Sequence, residues 1–172
     1  MIENILIIDT ETTGLDPRNG DKIIEIAAVL FNLKYKFVLQ NYSTLFPCEI
    51  NPVEHINHIP VDVTNCNFSL ALSDSILIGM GHSAQACVAH NAEFDKKFVS
   101  LLACGQYLLN KKWICTKANF TWPVSLPRLR LEDICNGMKV PYTNAHRALT
   151  DCQLLAQCFE KVEDLEDRIN RC

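Results

Sequence analysis

Two acidic residues lie close together at the end of a short apolar run near the N-terminus. Asp9 and Glu11 follow Ile5–Ile8, a run that is typical of a β-strand. Because side chains alternate along a strand with a period of two, both carboxylates are expected on one face, where they could share a ligand. Neighbouring anions repel each other unless a cation or hydrogen-bond donors neutralise them, and a hard divalent cation is the natural occupant.

The residues around this pair favour a ligand site over two solvated acids at a strand end. An Asp-x-Glu pair alone is weak evidence, because it arises often by chance. Here the pair belongs to DTETTGL at positions 9–15, in which Thr12 and Thr13 offer hydroxyl and backbone donors. Gly14 permits a close approach to a ligand.

Three more residues could contribute to the same chemistry, although each has an ordinary explanation. Asp95 follows Asn91, the predicted N-cap of a helix, and could simply stabilise the positive end of that helix. Asp151 lies in the final predicted helix, where a single acid could be exposed or capping. His146 lies five residues earlier, on a predicted mobile segment that could swing over the site, but a lone His is more often a surface or core residue than a base.

The three motifs that contain these residues outweigh the ordinary explanations when they are taken together. They are DTETTGL (9–15), HNAEFD (90–95) and HRALTD (146–151), in the order and spacing of the exonuclease motifs of the DEDDh family. The sequence resembles the 3′-to-5′ exonucleases of that family, of the proofreading epsilon-subunit type, whose relatives include ribonuclease T and oligoribonuclease. The resemblance extends from about residue 4 to residue 159 and includes IIEIAAV at 23–29.

The resemblance implies roles for individual residues. Four carboxylates would bind two divalent metal ions, Mg²⁺ or Mn²⁺: Asp9, Glu11, Asp95 and Asp151. His146 would be the general base, because Arg147 occupies the position at which the family's alternative form has Tyr. Contacts to the terminal nucleotide are implied, most weakly for the last of them, at Thr12, Leu15, Phe94 and His90. The chain departs from the family at 57–59, where members often carry His-Gly-Ile and this chain has Asn-His-Ile.

The implied reaction is the hydrolysis of single-stranded DNA or RNA from a free 3′ end, one nucleoside 5′-monophosphate at a time. Two metal ions would polarise the scissile phosphate and stabilise the attacking and leaving oxygens. Two alternatives stay open: an exoribonuclease that trims RNA, and a weakly active binding module associated with a polymerase. A polymerase and a second copy of the chain as homodimer partner are both compatible with this function.

Composition sets the class of protein. The chain has 172 residues, 48% of them hydrophobic, and 16 basic against 20 acidic side chains, which fits a single domain over 1–172. The net charge of -4 argues against a grip on long duplex DNA. The longest apolar run, Ile26–Phe31, is too short to span a membrane, and the N-terminus lacks a signal-peptide pattern, so we expect a cytoplasmic protein with no membrane partner. Lys111, Lys112 and Lys117 are interpreted as part of a solvated face.

The predicted elements form an α/β fold, and the resemblance specifies it as ribonuclease H-like, a mixed β-sheet flanked by helices. Strands are predicted at 5–8, 23–31, within 37–46, 86–90 and 113–115, with a tight turn in 12–20 that makes the first pair antiparallel. A surface loop with a helical turn is predicted over 47–68. Helices are predicted from Leu70 to 79–81, from Asn91 to about Gly105, over 129–138, and as one long final helix from Ala148 past Leu165.

Overall fold

A computed structural model describes residues 1–66, 70–143 and 146–172 of the chain. Five strands form one mixed sheet in the order β3-β2-β1-β4-β5. Their bounds are β1 Asn4–Thr12, β2 Ile23–Asn32, β3 Phe37–Leu45, β4 Ala86–Ala89 and β5 Lys112–Cys115. The first three strands are antiparallel neighbours, and β4 and β5 continue the sheet in parallel with β1. The predicted mixed sheet is therefore confirmed.

Helices cover both faces of this sheet. Their bounds are α1 Glu54–Asn57, α2 Val61–Thr64, α3 Leu70–Ser83, α4 Ala92–Val99, α5 Gly105–Leu109, α6 Leu131–Gly137, α7 Ala148–Glu160 and α8 Leu165–Arg171. Because side chains alternate along β1, Ile5 and Ile7 pack with α6, α7 and α8, whereas Leu6 and Ile8 pack with α3, α4 and α5. A central strand buried on both faces explains why its sequence is continuously apolar up to Asp9.

The predicted loop at 47–68 contains the two short helices α1 and α2, in place of the single helical turn expected. Residues 67 and 68, at the end of that prediction, lie outside the described residues. Among the residues that are described, no helix is long and apolar enough to cross a membrane.

Two predicted helix ends were wrong, because the glycines on which they were based lie inside a helix or at its start. Helix α3 continues through Gly79 and Gly81 to Ser83. Helix α4 ends at Val99, and Gly105 begins α5 instead of ending α4. A Cβ on Gly105 would lie 2.1 Å from the Val99 carbonyl oxygen, so only glycine lets α5 start against the end of α4.

The predicted long final helix is also wrong, because it divides into α7 and α8. Leu165 and Ile169 of α8 are buried in the same apolar cluster as α7, so the apolar spacing continues across the break between the two helices. Arg168 donates from Nη1 to the carbonyl oxygen of Thr121 at 2.7 Å, which ties α8 to the segment between β5 and α6.

Candidate active site

Three of the four predicted metal ligands meet where the end of β1 faces the start of α7. Asp9 and Glu11 lie two residues apart on β1, and Asp151 lies in the first turn of α7. One carboxylate oxygen from each of the three lies within 4.8 Å of the others, and all three side chains are partly buried. This is the only group of three or more potential metal ligands found in the described part of the chain.

The fourth predicted ligand, Asp95, approaches this cluster from α4. Its side chain is 2% exposed, and its Oδ1 accepts a hydrogen bond from the Thr10 hydroxyl at 3.0 Å. Asp95 is near enough to Asp9 for its charge to raise the pKa of that carboxyl, although it lies outside the group of three. Asn91 precedes α4 as predicted, but its side chain makes no capping hydrogen bond.

Burial and mutual repulsion make the carboxylates of this cluster hard to ionise. The pKa of Asp9 is raised well above its usual value, first by burial and then by the charges of Asp95, Asp151 and Glu11. Burial also raises the pKa of Glu11 to about 8, with further contributions from Asp151 and Glu25 and a smaller opposing one from Arg147. Such a cluster gains when a cation joins it.

The two outer carboxylates are raised less, because each has a partner that favours its charged form. Burial raises the pKa of Asp95 to about 7, and the hydrogen bond from Thr10 opposes this shift. Burial raises the pKa of Asp151 to about 6, opposed by the charge of His146 and by the hydrogen bond from its backbone. Oxygen donors of this kind fit hard divalent cations such as Mg²⁺ and Mn²⁺.

His146 lies exposed beside Asp151, just before α7. Its backbone N–H points to Asp151 Oδ1 at 3.4 Å, and its φ of 68° is in the left-handed region. Both residues line a groove of about 440 Å³, together with His90 and Tyr142. The mobile segment predicted before His146 includes residues 144–145, which lie outside the described residues. The structure therefore brings the predicted base to the predicted metal cluster.

Two cations in the same groove were missed by the sequence reasoning. Lys117, interpreted above as part of a solvated face, lines the groove with Arg130. Lys111, from the same set, instead donates to the Ala84 carbonyl oxygen at 2.8 Å. The spacing of these residues gave no signal, because Lys117 and Arg130 come together only through the turn between β5 and α6.

The four predicted nucleotide contacts differ in accessibility. Leu15 is 79% exposed in the turn after β1, whereas Thr12 is buried and donates its hydroxyl to the Gly14 carbonyl oxygen at 2.6 Å. Phe94 is partly buried against Phe98. His90 lines the groove and shares a hydrogen bond of 3.1 Å with the Thr116 hydroxyl. Burial lowers the pKa of His90 and favours its neutral form.

The loop at 57–59, where the chain departs from the family's His-Gly-Ile, has a defined backbone geometry. His58 ends α1 with a left-handed φ of 56°, a conformation that favours glycine. Asn57 precedes it as the last residue of α1. Its side chain is 1% exposed, accepts from the backbone N–H of Ile59 at 3.1 Å and contacts the Thr12 carbonyl oxygen at 3.5 Å, which links this loop to the end of β1.

A buried ion pair beside the cluster was also missed. Glu25 of β2 pairs in register with Glu11 and is 2% exposed. It accepts from Arg147 Nε at 3.0 Å and Nη2 at 2.8 Å, and from the backbone N–H of Ala148 at 3.1 Å. The only signal in the sequence was a charged residue inside the apolar run IIEIAAV.

Comparison with known proteins agrees with this fold. A family model described as an exonuclease, of the ribonuclease T type, matches residues 6–63. The DNA polymerase III subunit epsilon of Rickettsia typhi is 32% identical over 180 residues, which cover 90% of this chain and 71% of that protein. Exonuclease X, solved in complex with 5′-overhanging duplex DNA, is 25% identical with a TM-score of 0.69 over 95% of this chain and 91% of its own.

A further solved structure supports the fold alone. The nuclease domain of 3′hExo, a DEDDh family member solved with bound rAMP, has a TM-score of 0.73 at 18% identity and covers 96% of this chain and 93% of its own.

The mixed sheet and the acidic cluster at its centre define a ribonuclease H-like nuclease of the phosphodiester hydrolase class. Within that class the chain belongs to the exonuclease family that includes the DNA polymerase III epsilon subunit. It is therefore a 3′-to-5′ exonuclease, and divalent metal ions are the cofactors that this family uses.

Proposed function

We propose that this chain forms one exonuclease domain over 1–172 and removes nucleoside 5′-monophosphates from single-stranded 3′ ends with two Mg²⁺ or Mn²⁺ ions. The observation that carries this proposal is the convergence of three carboxylates within 4.8 Å of one another, with His146 hydrogen-bonded beside them. Asp9, Glu11 and Asp151 would hold the ions, and Asp95 would complete the set from α4.

The protein's own residues would position the reacting groups and accept a proton. Metal ions held by the carboxylates would supply charge stabilisation at the scissile phosphate and would acidify the attacking water. The Thr10 hydroxyl holds the Asp95 carboxylate in place. His146, exposed at the rim of the groove, would accept the proton of the attacking water through its imidazole.

The surroundings of the cluster favour a single strand as substrate. The exposed Leu15 side chain would offer an apolar surface to the terminal base. Lys117 and Arg130 in the groove would lie along the phosphates of the strand that remains. Two cations suit a few nucleotides at a strand end better than a long duplex.

The relatives suggest a setting for this activity. Because the Rickettsia typhi relative is a subunit of DNA polymerase III, we infer DNA 3′ ends as the leading substrate, a cytoplasmic location and a polymerase as a candidate partner. A homodimer is the alternative assembly. An exoribonuclease is the second candidate function, because an RNA strand presents the same phosphates to the groove and differs by its 2′-hydroxyl.

The test is a time course with 5′-labelled single-stranded DNA and RNA of one sequence, with Mg²⁺, Mn²⁺ or EDTA. We expect a ladder that shortens from the 3′ end, is lost in EDTA and is lost in Asp9→Asn. Asp164→Asn is the matched control, because Asp164 pairs with Arg168 on α8 and should leave the ladder unchanged. Absence of metal-dependent shortening on both strands would refute the proposal and favour a binding module.

A further inference from the structure

The Glu25–Arg147 ion pair holds the residues that directly follow His146, the proposed base. Arg147 directly follows His146, and its guanidinium binds Glu25 through two nitrogens. Glu25 also accepts the backbone N–H of Ala148, the first residue of α7. One buried carboxylate therefore holds two consecutive residues that lie 122 and 123 positions away in the sequence.

The backbone at His146 needs this support. A left-handed φ of 68° costs a residue with a Cβ about 1–2 kcal/mol, and such a conformation persists only where surrounding contacts impose it. The contacts in the structure are the hydrogen bond from His146 N–H to Asp151 and, on the other side, the bonds of Arg147 and Ala148 to Glu25. The first set ends on Asp151, a member of the carboxylate cluster, and the second ends on Glu25, which lies opposite Glu11.

The strand that carries Glu25 makes the attachment specific. Glu25 lies opposite Glu11 in the β1–β2 register, so the point that holds the start of α7 belongs to the same rigid strand pair as Asp9 and Glu11. The Glu25 carboxylate is buried, whereas the Arg147 side chain is 45% exposed. The pair ties the start of α7, beside His146, to the strand pair that carries Asp9 and Glu11.

We propose that Glu25 and Arg147 are positioning residues that hold His146 over the metal cluster. The proposal rests on the proposed function, in which His146 is the base. Neither residue is a metal ligand or a base in it: the pair acts by fixing the backbone on which the imidazole is mounted. Lysine cannot replace the arginine fully, because it lacks the planar fork that makes two bonds to one carboxylate.

The experiment compares Arg147→Ala, Arg147→Lys and Glu25→Gln with the wild type in single-turnover degradation of oligo(dT) at saturating metal. We expect Arg147→Ala to slow the chemical step by about 10- to 100-fold, within the range of a misplaced general base. Arg147→Lys should be intermediate, and substrate affinity should change less than about threefold. Arg171→Ala is the control, because its side chain is 76% exposed and pairs with Asp167 within α8.

A double-mutant cycle separates this role from a structural one. If Arg147 acts through His146, then Arg147→Ala should cause no further loss in a His146→Ala background. Equal losses in the two backgrounds would overturn the proposal, because the pair would then act on the fold or on the carboxylates. Glu25→Gln could fail to fold, but Arg147 is 45% exposed in its side chain, so Arg147→Ala keeps the cycle measurable.

A readout independent of turnover keeps this inference distinct from the proposed function. The imidazole resonance of His146, assigned by its loss in His146→Ala, should move toward the random-coil position in Arg147→Ala and stay unchanged in Arg171→Ala. An unmoved resonance would refute the positioning role. If the wild-type enzyme degrades no strand, the proposed function fails at that first step, whatever the resonance shows.

Discussion

The burial of the clustered carboxylates and the repulsion between them predict that removing one of their charges stabilises the metal-free protein. The clearest change is Glu11→Gln, which keeps the shape of the side chain. In the folded protein the pKa of Glu11 is about 8, against an ordinary value of 4.5. Between these two values the folded chain binds a proton that the unfolded chain has released, so stability falls as the pH rises from 4.5 to 8.

The size of this effect follows from the pKa values. At pH 7 the folded chain still holds a proton on Glu11 that the unfolded chain has released. The difference between pH 7 and the ordinary pKa of 4.5 corresponds to a loss of about 3 kcal/mol in the free energy of unfolding, since one pKa unit is worth about 1.4 kcal/mol. Glu11 is partly exposed, and water screening reduces this figure. We therefore expect Glu11→Gln to gain about 1–3 kcal/mol in EDTA at pH 7, or roughly 3–8 °C in melting temperature. At pH 5 the gain should shrink to about 1 kcal/mol or less.

The assay is thermal unfolding followed by circular dichroism, in EDTA and then in Mn²⁺. Metal that binds only the folded state should stabilise the wild type more than Glu11→Gln and so narrow or reverse the difference. Glu93→Gln is the matched control, because Glu93 is exposed and pairs with Lys96 on α4, and it should give no gain. A Glu11→Gln protein that melts at or below the wild-type temperature in EDTA at pH 7 would refute the reasoning.

Three further substitutions test local features of the fold. Thr10→Val removes the hydroxyl bound to Asp95, so the metal concentration for half-maximal activity should rise by up to about tenfold; an unchanged metal titration would contradict this role. His58→Gly relieves a left-handed φ and should raise stability by about 1 kcal/mol in urea unfolding, and a loss would argue against strain there. Gly105→Ala should cost about 1–3 kcal/mol through its clash, whereas Gly79→Ala, with open space around it, should gain up to about 1 kcal/mol; equal effects in thermal unfolding would refute the packing argument.

Local periodicity predicted the strands of the sheet and the pairing of Asp9 with Glu11, and the resemblance to an exonuclease family implied the rest of the site. The period of two along β1 placed Asp9 and Glu11 on one face, and the structure brings their oxygens together with that of Asp151. The three motifs carried the resemblance, which in turn implied that their elements converge. The roles of the individual residues stay predictions, since geometry shows proximity and not turnover.

The helix ends depend on tertiary packing, which the periodicity of the sequence does not show. The apolar spacing from Ala148 to Ile169 is continuous because both α7 and α8 bury side chains in one cluster, and nothing in that spacing marks the change of direction. At Gly105 the decisive contact is with the Val99 carbonyl oxygen, which only the folded chain brings close. A glycine in a helical pattern can therefore mark a close approach as well as an end.

Glu11 and Glu25 show how two glutamates opposite each other on neighbouring strands can have different roles. They lie opposite each other on β1 and β2, yet Glu25 is neutralised by Arg147, whereas no ion pair joins Glu11 to a cation among the described residues. The protein thus supplies its own cation to Glu25, whereas the proposed partner of Glu11 is a metal ion from solution. Because Glu25 also accepts the backbone N–H of Ala148, loss of the ion pair should release the start of α7. A structural carboxylate and a proposed metal ligand can therefore be the same type of residue. They differ in their position in the sheet and in the nearest available cation.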